Sequence, residues 1–188
     1  MNPLQSKADA NRSSSNPSLP VPDIADSNLD WHSAGEGQSL PDDAWSRWLF
    51  DPSSLTKLLI EKSSGDFRVE VREENWQLLS DADTRGCFGP LAEQHRFWSR
   101  KVALLGGNTP WVLAHTLIPE FSLAGPLGRV LELNEKPLGE YLFSHPNLIR
   151  SGIELAPFAG NSWGRRSLFY LFEKPIMVAE FFLPSILD

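Results

Sequence analysis

Cysteine is almost absent from this chain of 188 residues, which contains only Cys87. A single thiol rules out an intramolecular disulfide framework and any zinc site built on cysteine pairs. Long apolar runs are missing too, because the most apolar stretch, residues 176–187, is interrupted by Glu180 and Pro184. Residues 1–20 also lack the apolar core of a signal peptide. The sequence therefore predicts a soluble, cytoplasmic protein without a membrane span.

Positive charge is also scarce. The 17 Lys and Arg residues are outnumbered by 24 Asp and Glu residues, and the formal net charge is −7 at pH 7. A protein that wraps nucleic acid needs a dense basic surface, so we predict no nucleic-acid partner. Hydrophobic residues make up 41% of the chain, with 7 Trp and 11 Phe. That content is sufficient for a folded core and excludes a fully disordered protein.

The sequence lacks the local signatures of common nucleotide-binding and hydrolytic enzymes. It contains no G-x-x-x-x-G-K-[ST] phosphate loop, no G-x-G-x-x-G dinucleotide fingerprint and no G-x-S-x-G nucleophile elbow. Its four histidines are scattered singly and form no H-x-x-x-H pair, so we expect no metal site. We expect His115 to be a hydrogen-bonded structural histidine within a strand, and Cys87 to have no chemical role.

The first 40 residues differ from the rest in composition. They contain eight Ser and four Pro, carry two positive and five negative side chains, and show isolated apolar residues without periodicity. Such a segment buries too little apolar surface to offset the entropy lost on ordering. We therefore predict that residues 1–37 are a disordered acidic tail and that residues 38–188 form a single domain. A tail that folds on a partner, with Trp31 as its anchor, is the alternative.

The folded part is predicted to alternate between helices and strands. Pro41 and the acids after it begin a helix that ends at Asp51, and Ser53 can cap a second short helix. Further helical structure, broken by a Lys-Pro pair, is predicted at residues 127–143. Strands are predicted at residues 67–71 with a neighbour at 76–78, and at 97–105, 111–118, 148–157, 166–172 and 176–183. This order favours an α+β fold, with helices on one side of an antiparallel sheet.

Two charged side chains stand in otherwise apolar strands. Both alternating faces of residues 176–183 are apolar, so Glu180 must enter a buried environment. Arg100 is the only polar member of its face in the strand at 97–105. A buried carboxylate needs a cation, a polar ligand or a proton. Arg100 and Glu180 either pair with each other structurally or bracket a small ligand with an acid group at one end and a hydroxyl at the other.

A third charged element is the W-G-R-R-S segment at residues 163–167. Gly164 permits an unusual backbone angle before the strand. Arg165 and Arg166 are adjacent on a strand, so their side chains point to opposite faces and one of them faces inward. A surface turn with two exposed charges is the alternative.

These residues and their spacing resemble the chorismate lyase (chorismate pyruvate-lyase) family, from about residue 38 to the C-terminus. The resemblance rests on F-W-S-R at 97–100, P-W at 110–111, K-P-L-G-E-Y-L-F at 136–143, W-G-R-R-S at 163–167, and K-P at 174–175 with E-F-F-L-P at 180–184. It implies a six-stranded antiparallel sheet whose helices cover an enclosed ligand site. It also implies the conversion of chorismate to 4-hydroxybenzoate and pyruvate, the first step towards ubiquinone, without a metal or an organic cofactor.

The resemblance also implies site residues. The family's ligand-carboxylate arginine corresponds to Arg100, and its catalytic glutamate, which addresses the ring hydroxyl or delivers a proton, corresponds to Glu180. Leu55 replaces the family's methionine, and a backbone contact there should be retained. One of the two adjacent arginines is expected to balance charge on the leaving pyruvyl group. The resemblance thus implies Arg100, Leu138, Glu180 and Leu55 as substrate-binding residues, with Arg100 and Glu180 catalytic. We add Arg165 and Arg166 as substrate-binding candidates because of their charge.

Two other functions stay open on the sequence alone. The same general fold resembles the effector-sensing domains of some bacterial transcription regulators, so a non-catalytic module that binds small aromatic acids is one alternative. A structural protein in which Arg100 and Glu180 form a buried pair is the other. For the enzyme, we expect chorismate and 4-hydroxybenzoate as its ligands, and a monomer.

Overall fold

An antiparallel sheet forms the centre of the protein, whose computed structural model describes residues 19–34 and 41–188. The strands in these residues are β1 (His32–Ser33), β2 (Phe67–Leu78), β3 (Arg96–Gly106), β4 (Thr109–Pro119), β5 (Ile149–Arg150), β6 (Glu154–Phe158), β7 (Ser162–Leu171) and β8 (Lys174–Phe182). They lie in the order β1-β6-β7-β8-β4-β3-β2, and β5 pairs with β7. The predicted α+β fold with a single antiparallel sheet is confirmed.

Short helices connect and flank the strands. They are α1 (Asp43–Phe50), α2 (Leu55–Lys62), α3 (Ala82–Gly86) and α4 (Leu138–Phe143), with 3-10 helices at Glu120–Leu123, Gly125–Glu132 and Pro184–Ile186. The predicted helical region 127–143 is thus divided between a 3-10 helix and α4. Ser54, rather than Ser53, precedes α2, and its side chain makes no capping hydrogen bond. Among the described residues, no helix is long and apolar enough to cross a membrane.

The predicted pair of strands at 67–71 and 76–78 is one continuous strand, β2. Its pairing with β3 shifts between Val71 and Glu73, which is a β-bulge that accommodates Arg72 as an extra residue. A bulge moves the following side chains to the other face. The apolar residues therefore change from odd to even positions within β2, and this change led to the prediction of two separate strands.

One face of the sheet carries most of the helices. Trp45 and Leu49 of α1 and Leu59 of α2 pack against strand residues such as Val102 and Phe182. On the same face, α4 and the 3-10 helix Gly125–Glu132 form a second apolar cluster with β4, β7 and β8. The helices are joined to the sheet at these two clusters, and a cavity lies where the clusters meet.

The opposite face of the sheet is covered by residues 19–34 together with α3 and its flanks. Val21 and Ile24 are buried against this face, and the Trp31 ring lies 6.0 Å from the ring of Phe181. The prediction of disorder for residues 1–37 is therefore wrong for residues 19–34. The apolar side chains of this segment show no periodicity because Val21, Ile24 and Trp31 each pack at a separate position on the sheet. The rest of the predicted tail lies outside the described residues.

Gly164 is required for this packing rather than for an unusual backbone angle. It does not adopt the left-handed conformation. A Cβ atom at Gly164 would lie 3.0 Å from the Phe181 ring and 3.1 Å from the Trp31 ring. The prediction of a special backbone angle at Gly164 is thus wrong, and the residue provides space for two aromatic rings.

His115 attaches the segment at residues 19–34 to the sheet. Its Nδ1 accepts a hydrogen bond of 3.0 Å from the backbone N–H of Ile24, so its Nε2 carries the proton and donates to Ser99 Oγ at 2.9 Å. Burial lowers the pKa of His115 to about 4, although the nearby carboxylate of Asp23 acts in the opposite direction. His115 is therefore a neutral, hydrogen-bonded structural residue at pH 7.

We expect acid to destabilise the protein through His115. In the unfolded chain its pKa is near 6.5 and in the folded protein it is about 4. As the pH falls through this window, the unfolded state binds a proton that the folded state does not, and stability is lost. The shift corresponds to about 3 kcal/mol. Urea unfolding between pH 7 and pH 4 measures this loss.

The matched variant is His115→Gln, which has no proton to gain. The loss of stability between pH 7 and pH 4 should be clearly smaller in His115→Gln than in the parent. The same pH dependence in His115→Gln and the parent would contradict the assignment.

Candidate active site

A cavity lies between the sheet and the helices α2 and α4. The volume that the centres of water molecules can occupy in it is about 60 Å³. A single water needs roughly 10–15 Å³ of such volume, so the cavity has room for several waters. Its wall is mostly apolar, and the charged side chains that line it are Arg100, Arg150, Arg165 and Glu180.

Arg100 is held in the cavity wall by contacts on two sides. Its side chain is 2% exposed, and Nη1 donates to the carboxylate of Glu74 on β2. Nη2 donates to the backbone carbonyls of Asn134 at 2.6 Å and Lys136 at 3.3 Å. These carbonyls belong to the segment just before α4, so Arg100 connects the start of that helix to the sheet. The hypothesis that Arg100 pairs with Glu180 is wrong, because its carboxylate partner is Glu74.

The bulge in β2 explains this partner. Glu74 lies directly opposite Arg100 in the β2–β3 register, and Val71 lies opposite Val102. Without the extra residue at Arg72, the side chain of Glu74 would point to the other face of the sheet. The bulge therefore places a carboxylate beside Arg100 at the edge of the cavity.

Glu180 pairs with Arg165 across the neighbouring strands β7 and β8. The two residues are directly opposite in the register, and Arg165 Nε donates to Glu180 Oε2 at 2.5 Å. Arg165 Nη1 donates to the carbonyl of Trp48 at 2.8 Å and to those of Leu49 and Asp51 at 3.3 Å. These carbonyls lie at the C-terminus of α1, where a cation is favourable. Arg165 thus joins α1 to the sheet and fixes the carboxylate of Glu180.

Arg166 lies on the opposite face of the sheet. Its Nε donates to Glu154 Oε2 at 2.6 Å, and its guanidinium lies 4.9 Å from the centre of the Trp31 ring. Although Arg166 was predicted as a substrate-binding residue, it does not line this cavity. The alternation of a strand places Arg165 inside and Arg166 on the face that residues 19–34 cover.

The two predicted leucines belong to the helices that cover the cavity. Leu55 is the first residue of α2 and Leu138 the first residue of α4, and both line the cavity. The helices approach closely at Gly139, where a Cβ atom would lie 2.7 Å from Oγ1 of Thr56. The cover is therefore closed by direct contact of α2 with α4.

One charged residue of the cavity wall, Arg150 of β5, was not predicted from the sequence. Its Nε donates to Ser167 Oγ at 3.1 Å, and its guanidinium lies 5.2 Å from the centre of the Phe169 ring. Burial lowers the pKa of Arg150, and the nearby cation Arg165 lowers it further. In the sequence, Arg150 follows Leu148 and Ile149 and precedes Ser-Gly, a context typical of an exposed residue at the end of a strand. Only the pairing of β5 with β7 shows that its side chain lies in the cavity wall.

The cavity can hold an anion with an aromatic or apolar body. Its walls carry three guanidinium groups and one carboxylate, and Glu74 neutralises part of this charge from outside the lining. The carboxylate of Glu180 can accept a hydrogen bond or exchange a proton with a bound molecule. Within residues 19–34 and 41–188, no group of three or more His, Cys, Asp or Glu side chains is placed to hold a metal ion.

A family model identifies the chain. The model of the family described as "Chorismate lyase" matches residues 25–188, which include the sheet, the covering helices and the cavity. The chain belongs to the chorismate lyase family. The match begins at residue 25, within the segment that covers the opposite face of the sheet, whereas the resemblance seen in the sequence alone began at about residue 38.

Curated relatives from the same family extend over most of the chain. The chorismate pyruvate-lyase of Photorhabdus laumondii is 38% identical over 148 residues, which are 78% of this chain and 84% of the relative. The chorismate pyruvate-lyase of Proteus mirabilis is 32% identical over 162 residues, which are 86% of this chain and 93% of the relative. Among solved structures, a GntR-family transcriptional regulator from Bacillus cereus superposes with a TM-score of 0.46 at 14% identity, over 64% of this chain and 93% of that chain.

Proposed function

We propose that this cavity is the active site of a chorismate lyase, which converts chorismate to 4-hydroxybenzoate and pyruvate. The protein is then a carbon–oxygen lyase that supplies the first intermediate towards ubiquinone. The observation that carries the proposal is the presence of two charged groups, the buried Arg100 and the partly buried Glu180, in the wall of one mostly apolar cavity. The names of the relatives support the same activity. The predicted monomeric state and cytoplasmic location stay predictions.

The reaction requires little from the protein beyond binding and charge stabilisation. Chorismate is a cyclohexadiene with a ring carboxylate, a ring hydroxyl and an enolpyruvyl ether. When the ether bond to the ring breaks and the carbon that bears the hydroxyl loses its hydrogen as a proton, the ring becomes aromatic. The enolpyruvate that leaves becomes pyruvate on protonation of its methylene carbon. Aromatisation supplies the driving force, so the reaction balances without an oxidant or a reductant.

The four proposed ligand contacts divide between the sheet and its cover. Arg100 binds the ring carboxylate with fixed charge and geometry. Glu180 hydrogen-bonds the ring hydroxyl and is placed for proton transfer. Leu55 and Leu138 bring backbone groups at the starts of α2 and α4 against the ligand. A ligand held between sheet and cover is enclosed, and the cover must open to release product.

Incubation with chorismate tests the proposal. We expect stoichiometric 4-hydroxybenzoate, followed by its absorbance, and pyruvate, followed by an enzymatic assay. Activity should survive exhaustive chelation, because the reaction needs no redox step and the cations in the cavity are guanidinium groups.

Each other outcome of the assay has a defined meaning. Stabilisation by 4-hydroxybenzoate without pyruvate formation would favour the non-catalytic aromatic-acid-binding module. Activity that is lost with chelator and restored by a divalent metal ion would contradict the cofactor-free mechanism. No turnover and no stabilisation would favour the structural protein.

A further inference from the structure

Arg150 differs from the other cavity arginines in what its terminal nitrogens contact. Arg100 donates from both terminal nitrogens to protein acceptors, and Arg165 donates from Nη1. Arg150 donates to Ser167 through Nε, whereas no hydrogen bond or ion pair of Nη1 or Nη2 occurs within the residues that the structure describes. The end of a guanidinium group carries four N–H donors in a planar arrangement that fits a carboxylate. Arg150 therefore presents an anion-binding group to the cavity.

The strand order places Arg150 at the Glu180 end of the cavity. Arg150 lies on β5, which pairs with β7, and β7 pairs with β8, the strand that carries Glu180. Arg100 lies farther across the sheet on β3, which is separated from β8 by β4. The Phe169 ring and Ser167 Oγ hold the guanidinium group in place.

The chemistry of chorismate supplies a group for this position. Its ether oxygen is attached to the ring carbon next to the one that bears the hydroxyl. If Arg100 holds the ring carboxylate and Glu180 the hydroxyl, the side-chain carboxylate must lie at the Glu180 end. Arg165 or Arg166 was the sequence-based candidate for this carboxylate. Arg166 does not line the cavity, and Nε and Nη1 of Arg165 are occupied by Glu180 and the α1 carbonyls.

Resting on the proposed function, we propose that Arg150 binds the enolpyruvyl carboxylate of chorismate and stabilises the enolpyruvate as it leaves. When the bond between the ring and the ether oxygen breaks, its electron pair goes to that oxygen, and the enolpyruvate gains negative charge next to the guanidinium group. The ring proton departs separately, and the enolpyruvate later takes up a proton on carbon. Binding of 4-hydroxybenzoate, which lacks the side chain, does not involve Arg150.

Two variants, Arg150→Gln and Arg150→Lys, test this assignment with two readouts. For Arg150→Gln we expect kcat/KM for chorismate to fall on the order of 30-fold, because a charge-assisted contact to the substrate is lost. The rise in melting temperature caused by millimolar 4-hydroxybenzoate should match that of the parent, which also shows that the site is folded. Arg150→Lys keeps the charge without the planar pair of donors, so it should recover part of the lost activity.

A matched control is Arg96→Gln, an exposed arginine paired with Glu120 outside the cavity, and its kinetics should equal those of the parent. Turnover of Arg150→Gln at the parental rate, with an active parent, would overturn the inference and leave the proposed function intact. Loss of the 4-hydroxybenzoate response in both variants would also overturn it, since Arg150 would then bind the ring carboxylate or support the site. An inactive parent would remove the proposed function and this inference together.

Discussion

Replacement of Arg100 by alanine is expected to abolish most of the binding of 4-hydroxybenzoate and to lower kcat/KM for chorismate by at least 30-fold. The Arg100 side chain is 2% exposed. In the alanine variant, a ligand carboxylate bound here would therefore be buried without the cation that Arg100 supplies. Loss of one partner of a buried charge pair costs about 2–5 kcal/mol, or roughly 30- to 5,000-fold in affinity or rate. Steady-state kinetics with chorismate and thermal shifts with millimolar 4-hydroxybenzoate measure both effects.

The alanine variant also loses contacts within the protein. Glu74 and the carbonyls of Asn134 and Lys136 lose their donor, so a lower melting temperature without ligand is expected as well. Arg100→Lys retains a cation at this position and separates the two effects, because it should fold better than Arg100→Ala and still bind 4-hydroxybenzoate less tightly than the parent. Parental kinetics and a parental thermal shift in both variants would refute the assignment of Arg100.

The strands with the clearest alternation were predicted well, because burial on one face of a sheet imposes a period of two. The same alternation identified Arg100 and Glu180 as charges among apolar neighbours, and both line the cavity. Their partners could not be predicted in the same way. Glu74 reaches Arg100 only because of the bulge at Arg72, and Arg165 reaches Glu180 only because β7 and β8 are neighbours in register.

Two larger differences from the sequence-based expectations have one physical origin, which is packing between segments distant in sequence. Val21, Ile24 and Trp31 have no periodicity, yet each contributes to a core shared with β3, β4 and β8. Arg150 ends a two-residue strand, and only pairing with β7 carries its side chain into the cavity. A periodic pattern detects an element that buries one face along its length, and it cannot detect isolated contacts of this kind.

Replacement of Glu180 by glutamine is expected to reduce turnover about 100-fold while the protein still folds. Glutamine preserves the shape of the side chain and can accept a hydrogen bond from Arg165, so the sheet pairing between β7 and β8 is retained. It cannot accept or deliver a proton, and general acid–base groups contribute roughly 100- to 10,000-fold to enzymatic rates. Kinetics with chorismate and unfolding of the free protein measure the two effects separately.

The ligand orientation behind this prediction can be tested with the parent protein alone. A ligand that binds only the folded state at a hundredfold excess over its Kd stabilises it by about 2.7 kcal/mol, so 4-hydroxybenzoate should raise the melting temperature clearly. Benzoate lacks the hydroxyl that meets Glu180 and leaves this partly buried carboxylate without that partner, so it should stabilise less. In Glu180→Gln the difference between the two ligands should shrink. Equal thermal shifts from benzoate and 4-hydroxybenzoate in the parent would refute this orientation and favour a purely structural pair of Glu180 with Arg165.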